Sequence, residues 1–143
     1  MIENSVVTFQ RRSIYLDKSF LSSIKKINES IGSLSYSSFK NEINLDYFVK
    51  SFFNINGLQS NIKISIKSIF LDNLYVNECF RNKGLASDLI LDMCDREKPD
   101  KVFLLKSDFK GLDIFYEKAF ILCNYKLYYS NKNLLVFSRK PNK

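Results

Sequence analysis

Between Gly84 and Glu97 the apolar residues Leu85, Ala86, Leu89, Ile90, Met93 and Cys94 recur at spacings of three and four. That is the period of a helix with one buried face. Asp88, Asp92, Asp95 and Arg96 take the other face, and Asp92 and Arg96 stand in the favourable i,i+4 order for an ion pair. Lys98-Pro99-Asp100 stops the helix. The preceding run, Ile69–Val76, is apolar and half aromatic or β-branched, which predicts a strand. A short loop, Asn77–Lys83, joins the two. A further apolar run at Lys101–Ser107 reads as a buried strand. Strand, helix and strand in that order imply a right-handed crossover and parallel pairing.

Elsewhere the pattern is less regular. Val6–Gln10 predicts a first strand ending at Arg11-Arg12. Asp17 suits the N-cap of a helix to Ser30, with Phe20, Ile24, Ile27 and Ile31 as its stripe and Gly32 at C′. A shorter helix is expected over Ser37–Ile43, with Tyr36, Phe39 and Ile43 on one side. Tyr47–Phe53 suits helix or strand, and the turn signal Asn54-Ile55-Asn56-Gly57 favours strand. Ile62, Ile64 and Ile66 alternate with polar residues, as in a half-buried strand. Only Lys67-Ser68 separates that run from Ile69, so a tight turn and one long bent strand are both open. Leu112–Ala119 predicts a helix, and Ile121–Tyr129 and Leu134–Arg139 predict a hairpin turning at Ser130–Asn133. No internal repeat, linker or low-complexity segment interrupts the chain, which fits one domain over residues 1–143.

Composition narrows the function classes. At 45% hydrophobic residues, with 13 Phe and 8 Tyr, the chain has enough apolar surface for a real core. No apolar run approaches the roughly 18 residues of a membrane span, and the N-terminus lacks the apolar core of a signal peptide. A cytoplasmic protein is expected. The chain has no His, which excludes His-based catalysis. Its three cysteines lack metal-ligand spacing, so a zinc site is not expected. Cys94 reads as helix packing and Cys123 as strand packing, while Cys79 lies beside Arg81 and Lys83, which would lower its pKa. The formal charge of +7 is spread without a dense basic run or a nucleic-acid-binding motif. That weighs against a nucleic-acid partner and leaves solubility as the plain reading.

The loop before the central helix carries the candidate chemistry. A helix start leaves backbone N–H groups unpaired at the positive end of the dipole and so attracts phosphate. Gly84 allows close backbone approach, and Arg81 and Lys83 add positive charge. A single glycine excludes both the G-x-x-x-x-G-K-[ST] and the G-x-G-x-x-G phosphate loops. The residues Val76, Phe80, Arg81, Asn82, Lys83, Gly84, Leu85 and Ala86 resemble the acyl-CoA-binding signature of the GNAT N-acetyltransferase family. Downstream, Phe115-Tyr116-Glu117-Lys118-Ala119-Phe120 resembles that family's L-Y-E-K-x-G-F, except that the glycine is absent: the turn is either one residue short or bears Phe120 in its place. The resemblance covers roughly residues 69–140.

What the resemblance implies can be stated residue by residue. The fold would be α/β (α+β): a mixed, mostly antiparallel twisted sheet of six or seven strands, with about four helices on both faces. A splayed parallel pair would form the CoA site. Acetyl-CoA would be the cosubstrate, and a primary amine the acceptor. The amides of Asn82–Ser87, including Gly84, Leu85 and Ala86, would cradle the pyrophosphate, with Arg81 and Lys83 assisting. Backbone groups at Leu74, Tyr75 and Val76 would receive the pantetheine arm. Tyr116 matches the family's tyrosine acid, and Asp72 is the candidate base, although the usual acidic position matches Phe70. Water relayed by backbone carbonyls is an equal alternative to Asp72. A homodimer is compatible with this reading. The competing reading is a catalytically inactive interaction protein of the same fold, with CoA or an acidic partner as what it could still bind.

Overall fold

The computed structural model describes residues 9–15, 32–55, 61–76, 84–106 and 112–141. In chain order they form β1 (Phe9–Tyr15), β2 (Gly32–Phe39), β3 (Ile43–Asn44), α1 (Leu45–Phe53), β4 (Lys63–Ile64) and β5 (Ser68–Val76). Then follow α2 (Leu85–Glu97), β6 (Lys101–Leu105), α3 (Leu112–Leu122), β7 (Tyr125–Ser130) and β8 (Leu134–Arg139). Six strands make one sheet in the order β1-β2-β5-β6-β8-β7, and β3 and β4 make a separate two-stranded ladder. Only β5 and β6 pair in parallel; the other pairs are antiparallel. The expected strand–helix–strand unit is β5–α2–β6.

Two cores lie on opposite faces of this sheet. Along β5, Ile69 and Leu71 join the core under α2 and α3, while Phe70 joins the core under α1. Val102 and Leu104 of β6, and Leu135 and Phe137 of β8, face α2 and α3; Phe103, Leu134 and Val136 face the other way. Strands covered on both faces explain why the central runs are continuously apolar rather than alternating.

The helix α2 follows its pattern: Leu85, Leu89, Ile90, Met93 and Cys94 are buried. Arg96 Nε lies 2.9 Å from Asp92 Oδ1 and its Nη2 lies 3.1 Å from Oδ2. Lys98 caps the helix in the left-handed region at φ 45°. The hairpin turn is also as expected: Asn131 N–H donates to the Leu134 carbonyl at 3.0 Å, and Asn133 N–H to Asn131 Oδ1 at 2.8 Å.

Several expectations are overturned. Tyr47–Phe53 is helix, not strand. Asn44 Oδ1 accepts the Tyr47 N–H at 2.9 Å as an N-cap, Asn54 closes the helix at φ 57°, and Leu45, Phe48 and Val49 are buried at helical spacing. Replacing Asn44 by Ala should cost about 1 kcal/mol, read as a lower urea midpoint at unchanged slope. The expected helix over Ser37–Ile43 is instead the end of β2 and the start of β3, and Gly32 opens β2 opposite Val76. Tyr36 and Phe39 consequently face opposite cores. β1 continues through Arg11 and Arg12 to Tyr15, paired along its length with β2.

The strand expected over Ile62–Ile66 shrinks to two residues, and Ile66 stands 59% exposed on a turn where Ser68 N–H donates to the Ser65 carbonyl. The strand expected to begin at Ile121 is helical to Leu122 and starts at Tyr125. Asn124, at φ 72°, supplies the left-handed turn that glycine would otherwise supply, one helical turn beyond the Phe120 position. Phe120 is therefore free to be a core residue, stacked on Phe137 with centroids 4.4 Å apart. Cys123 lies in that turn rather than on a strand and packs against the core beside Cys94. A hydrogen bond with the Cys123 thiol, together with burial, pushes the Cys94 thiol pKa up; the same hydrogen bond lowers that of Cys123. The helix expected over Asp17–Ser30, Cys79, and the turn residues Asn56 and Gly57 lie outside the described residues.

Candidate active site

β5 and β6 pair at only three positions, Ser68 with Lys101, Ile69 with Val102 and Phe70 with Phe103. Beyond Phe70 they part. Leu104 and Leu105 pair with β8, and β5 runs on to Val76 beside β2. Beyond Phe70 the register between β5 and β6 therefore ends among the described residues, a geometry in which a ligand's amides can add to a strand edge. The gap is a cavity of about 340 Å³ lined by Phe70–Leu74, Leu104–Lys106, Phe53 and Tyr116. It crosses the sheet from one core face to the other, since Tyr116 packs with the α2/α3 core and Phe53 with the α1 core.

A bulge shapes the wall on the β5 side. Ser35 lies opposite Asn73 and Tyr36 opposite Leu71, so Asp72 is the extra residue. Leu74 returns to the α2/α3 core, while Asp72 turns to the other face. There the Ser37 hydroxyl, fully buried on β2, lies 2.9 Å from Asp72 Oδ2 and 3.2 Å from Oδ1.

Tyr116 is placed by the helix beneath it. Ala119 and Phe120 anchor α3 in the core, and Tyr116, four residues before Phe120, shares that face and leans on Phe115 with ring centroids 5.5 Å apart. Burial raises its phenol pKa, so the hydroxyl keeps its proton across the neutral range.

At the helix start, Gly84 adopts φ 78° and ψ 7°, and its carbonyl accepts the Asp88 N–H at 3.0 Å. The amides of Leu85, Ala86 and Ser87 come before the first intrahelical bond and have no acceptor within the helix. Leu85 is buried and fixes the turn, whereas Ala86 and Ser87 are half-buried. A Cβ built on Gly84 meets no atom within 4 Å, so the approach is open among the described residues.

Of the residues expected from sequence, Asp72, Leu74 and Tyr116 line one cavity. Tyr75 points outward at 42% exposure, Val76 ends β5, and Gly84–Ser87 form the first turn of α2. Arg81, Asn82 and Lys83 lie outside the described residues. Sequence reading missed Ser37 and Phe53, both assigned there to the wrong element type, and Lys106. Correct pairing of β2 with β5 was the only signal that would have put Ser37 beside Asp72. Among the described residues no three His, Cys, Asp or Glu gather as a metal site, and no helix is long and apolar enough to cross a membrane.

No family model and no curated protein matches the sequence. Solved structures match the fold. An acetyltransferase from Bacillus cereus ATCC 14579 aligns at TM-score 0.53 and 12% identity, over 96% of this chain and 87% of that one. A protein of Desulfovibrio desulfuricans assigned as an acetyltransferase of the GNAT family aligns at TM-score 0.51 and 10% identity, over 89% and 67%. An acetyltransferase from Thermus thermophilus aligns at TM-score 0.50 and 12% identity, over 90% and 63%. The chain has the GNAT fold.

Proposed function

We propose that this chain transfers an acetyl group from acetyl-CoA to a primary amine on a small molecule, a protein lysine or an N-terminus. The observation that carries the reading is the parting of β5 from β6 beside the first turn of α2, with Tyr116 and Asp72 in the resulting cavity. A strand edge that has parted from β6 fits the amides of a pantetheine arm, and an open helix start with glycine at φ 78° fits a pyrophosphate. The resemblance adds Arg81, Asn82 and Lys83 to that cradle and the backbone of Leu74, Tyr75 and Val76 to the arm.

When bound, acetyl-CoA supplies a thioester. The amine nitrogen forms the new bond to its carbonyl carbon and the carbon–sulfur bond breaks. A β5 backbone N–H beside the bulge stabilises the charge that develops on the carbonyl oxygen. Tyr116, held protonated by burial, gives its proton to the departing thiolate. The proton of the amine leaves to Asp72 or to water along the backbone carbonyls of the wedge.

Saturating acetyl-CoA tests this directly. At 100 times Kd it should stabilise the fold by about 2.7 kcal/mol, seen as a rise in Tm. Gly84→Glu should abolish the rise, because the new carboxylate enters the open approach and repels phosphate. A folded Gly84→Glu protein that binds normally would move the cradle elsewhere, and a wild type that millimolar acetyl-CoA leaves unshifted would remove the reading.

A further inference from the structure

We infer that Cys94 and Cys123 form a redox site, a dithiol that hydrogen peroxide converts to a disulfide fastening the last turn of α2 to the turn between α3 and β7. The inference goes beyond the acetyltransfer reading and does not rest on it. Cys94 is a buried residue of the α2/α3 core, and Cys123, half-buried, packs against that same core. Hydrogen bonds hold the two turns together on either side of the pair. The Tyr125 hydroxyl, two residues after Cys123, donates to the Pro99 carbonyl at 2.5 Å, just beyond the end of α2. Arg139, paired with Tyr125 across the β7–β8 ladder, donates from Nη1 to the Lys98 carbonyl at 3.2 Å. Each cysteine is also fixed within its own turn. The Cys94 carbonyl accepts the Lys98 N–H at 2.8 Å, and the Cys123 N–H donates to the Phe120 carbonyl at 3.0 Å. Among the described residues no third His, Cys, Asp or Glu gathers with them as a metal site, which leaves thiol chemistry.

The two thiols divide the work by position. Cys123 is the accessible member, and the Cys94 thiol donates a hydrogen bond to its sulfur. That bond favours the thiolate at Cys123 and outweighs burial and the Asp95 charge, which act against it. The Cys123 sulfur attacks one oxygen of the peroxide, the O–O bond breaks, and the departing hydroxide takes up a proton and leaves as water. Cys123 is left as a sulfenic acid. The negative charge that kept the Cys94 thiol protonated is then gone. The Cys94 sulfur attacks the Cys123 sulfur, the S–O bond breaks, and the hydroxide departs with the Cys94 proton as a second water. The two thiols lose two electrons and two protons, and one peroxide is reduced to two waters.

The test uses the full chain. Its three cysteines fall in different tryptic peptides: Cys79 in Ser68–Arg81, Cys94 in Gly84–Arg96 and Cys123 in Ala119–Lys126. Equimolar hydrogen peroxide should remove two hydrogens from the intact mass and join the Cys94 and Cys123 peptides, and dithiothreitol should separate them again. Cys94→Ala should stop the reaction at the sulfenic acid on Cys123, which dimedone captures. Cys123→Ala should leave Cys94 unmodified under the same exposure. The oxidised protein should unfold at a higher urea midpoint than the reduced one, because the bond restricts the unfolded chain. The peptide map of the unaltered chain decides the matter even if either variant fails to fold. A link through Cys79, a link between chains, thiols left unmodified by excess peroxide, or an oxidised midpoint at or below the reduced one would overturn the inference.

Discussion

Tyr116→Phe is expected to lower kcat for acetyl transfer by roughly 10²-fold or more, the usual range for losing a general acid. Acetyl-CoA affinity should change little. The ring is held by Phe115 and by the Phe120 anchor of α3, and Phe keeps those contacts. Only the hydroxyl is lost, and with it the proton for the departing thiolate. Stopped-flow or steady-state release of free thiol against amine concentration gives kcat, and the acetyl-CoA melting shift gives binding in parallel. Because burial raises the Tyr116 pKa, its acid form is lost only as pH climbs past about 10, the ordinary tyrosine value. The rate carried by Tyr116 should therefore be flat across neutral pH and fall only on the alkaline side. Unchanged turnover in Tyr116→Phe would reduce Tyr116 to a packing residue.

Phe48→Ala is expected to produce the largest loss of stability, about 3–5 kcal/mol. Phe48 is fully buried and meets four other rings: Phe39 and Phe70 at 5.1 Å, and Phe52 and Phe53 at 5.5 Å. Removing it leaves a cavity at the centre of the α1 core and forfeits edge-to-face contacts as well as buried area. Against a typical total of about 5–15 kcal/mol, such a loss is a large fraction of the stability. Equilibrium urea unfolding measures it. A loss under about 1 kcal/mol would mean that the aromatic cluster collapses around the gap. The same substitution should loosen the acceptor side of the wedge, because Phe53 and Phe70 both touch Phe48 and line the cavity.

The central strand and the helix after it were legible because their signals are local. Period 3.6 in Leu85–Cys94, a glycine before it and proline after it act within one or two turns of chain, whatever surrounds them. The β6 strand and the C-terminal hairpin were legible for the same reason. The motif at Tyr116 located the right helix, although that helix runs a turn further than its shortened ending suggests. Tyr47–Phe53 shows where local reading fails. Its aromatic run suits either state, and the deciding observation was the Asn44 side chain on the Tyr47 amide together with a hydrophobic face turned to the sheet.

The order of apolar and polar residues by itself determined the central helix and its leading strand, since each depends on neighbours a few positions apart. Tertiary structure alone decided where β5 and β6 stop pairing, which residue bulges, and that Ser37 meets Asp72 from 35 positions away. Those outcomes depend on register between strands distant in sequence. A one-residue slip in register turns every side chain to the other face while leaving the local pattern unchanged.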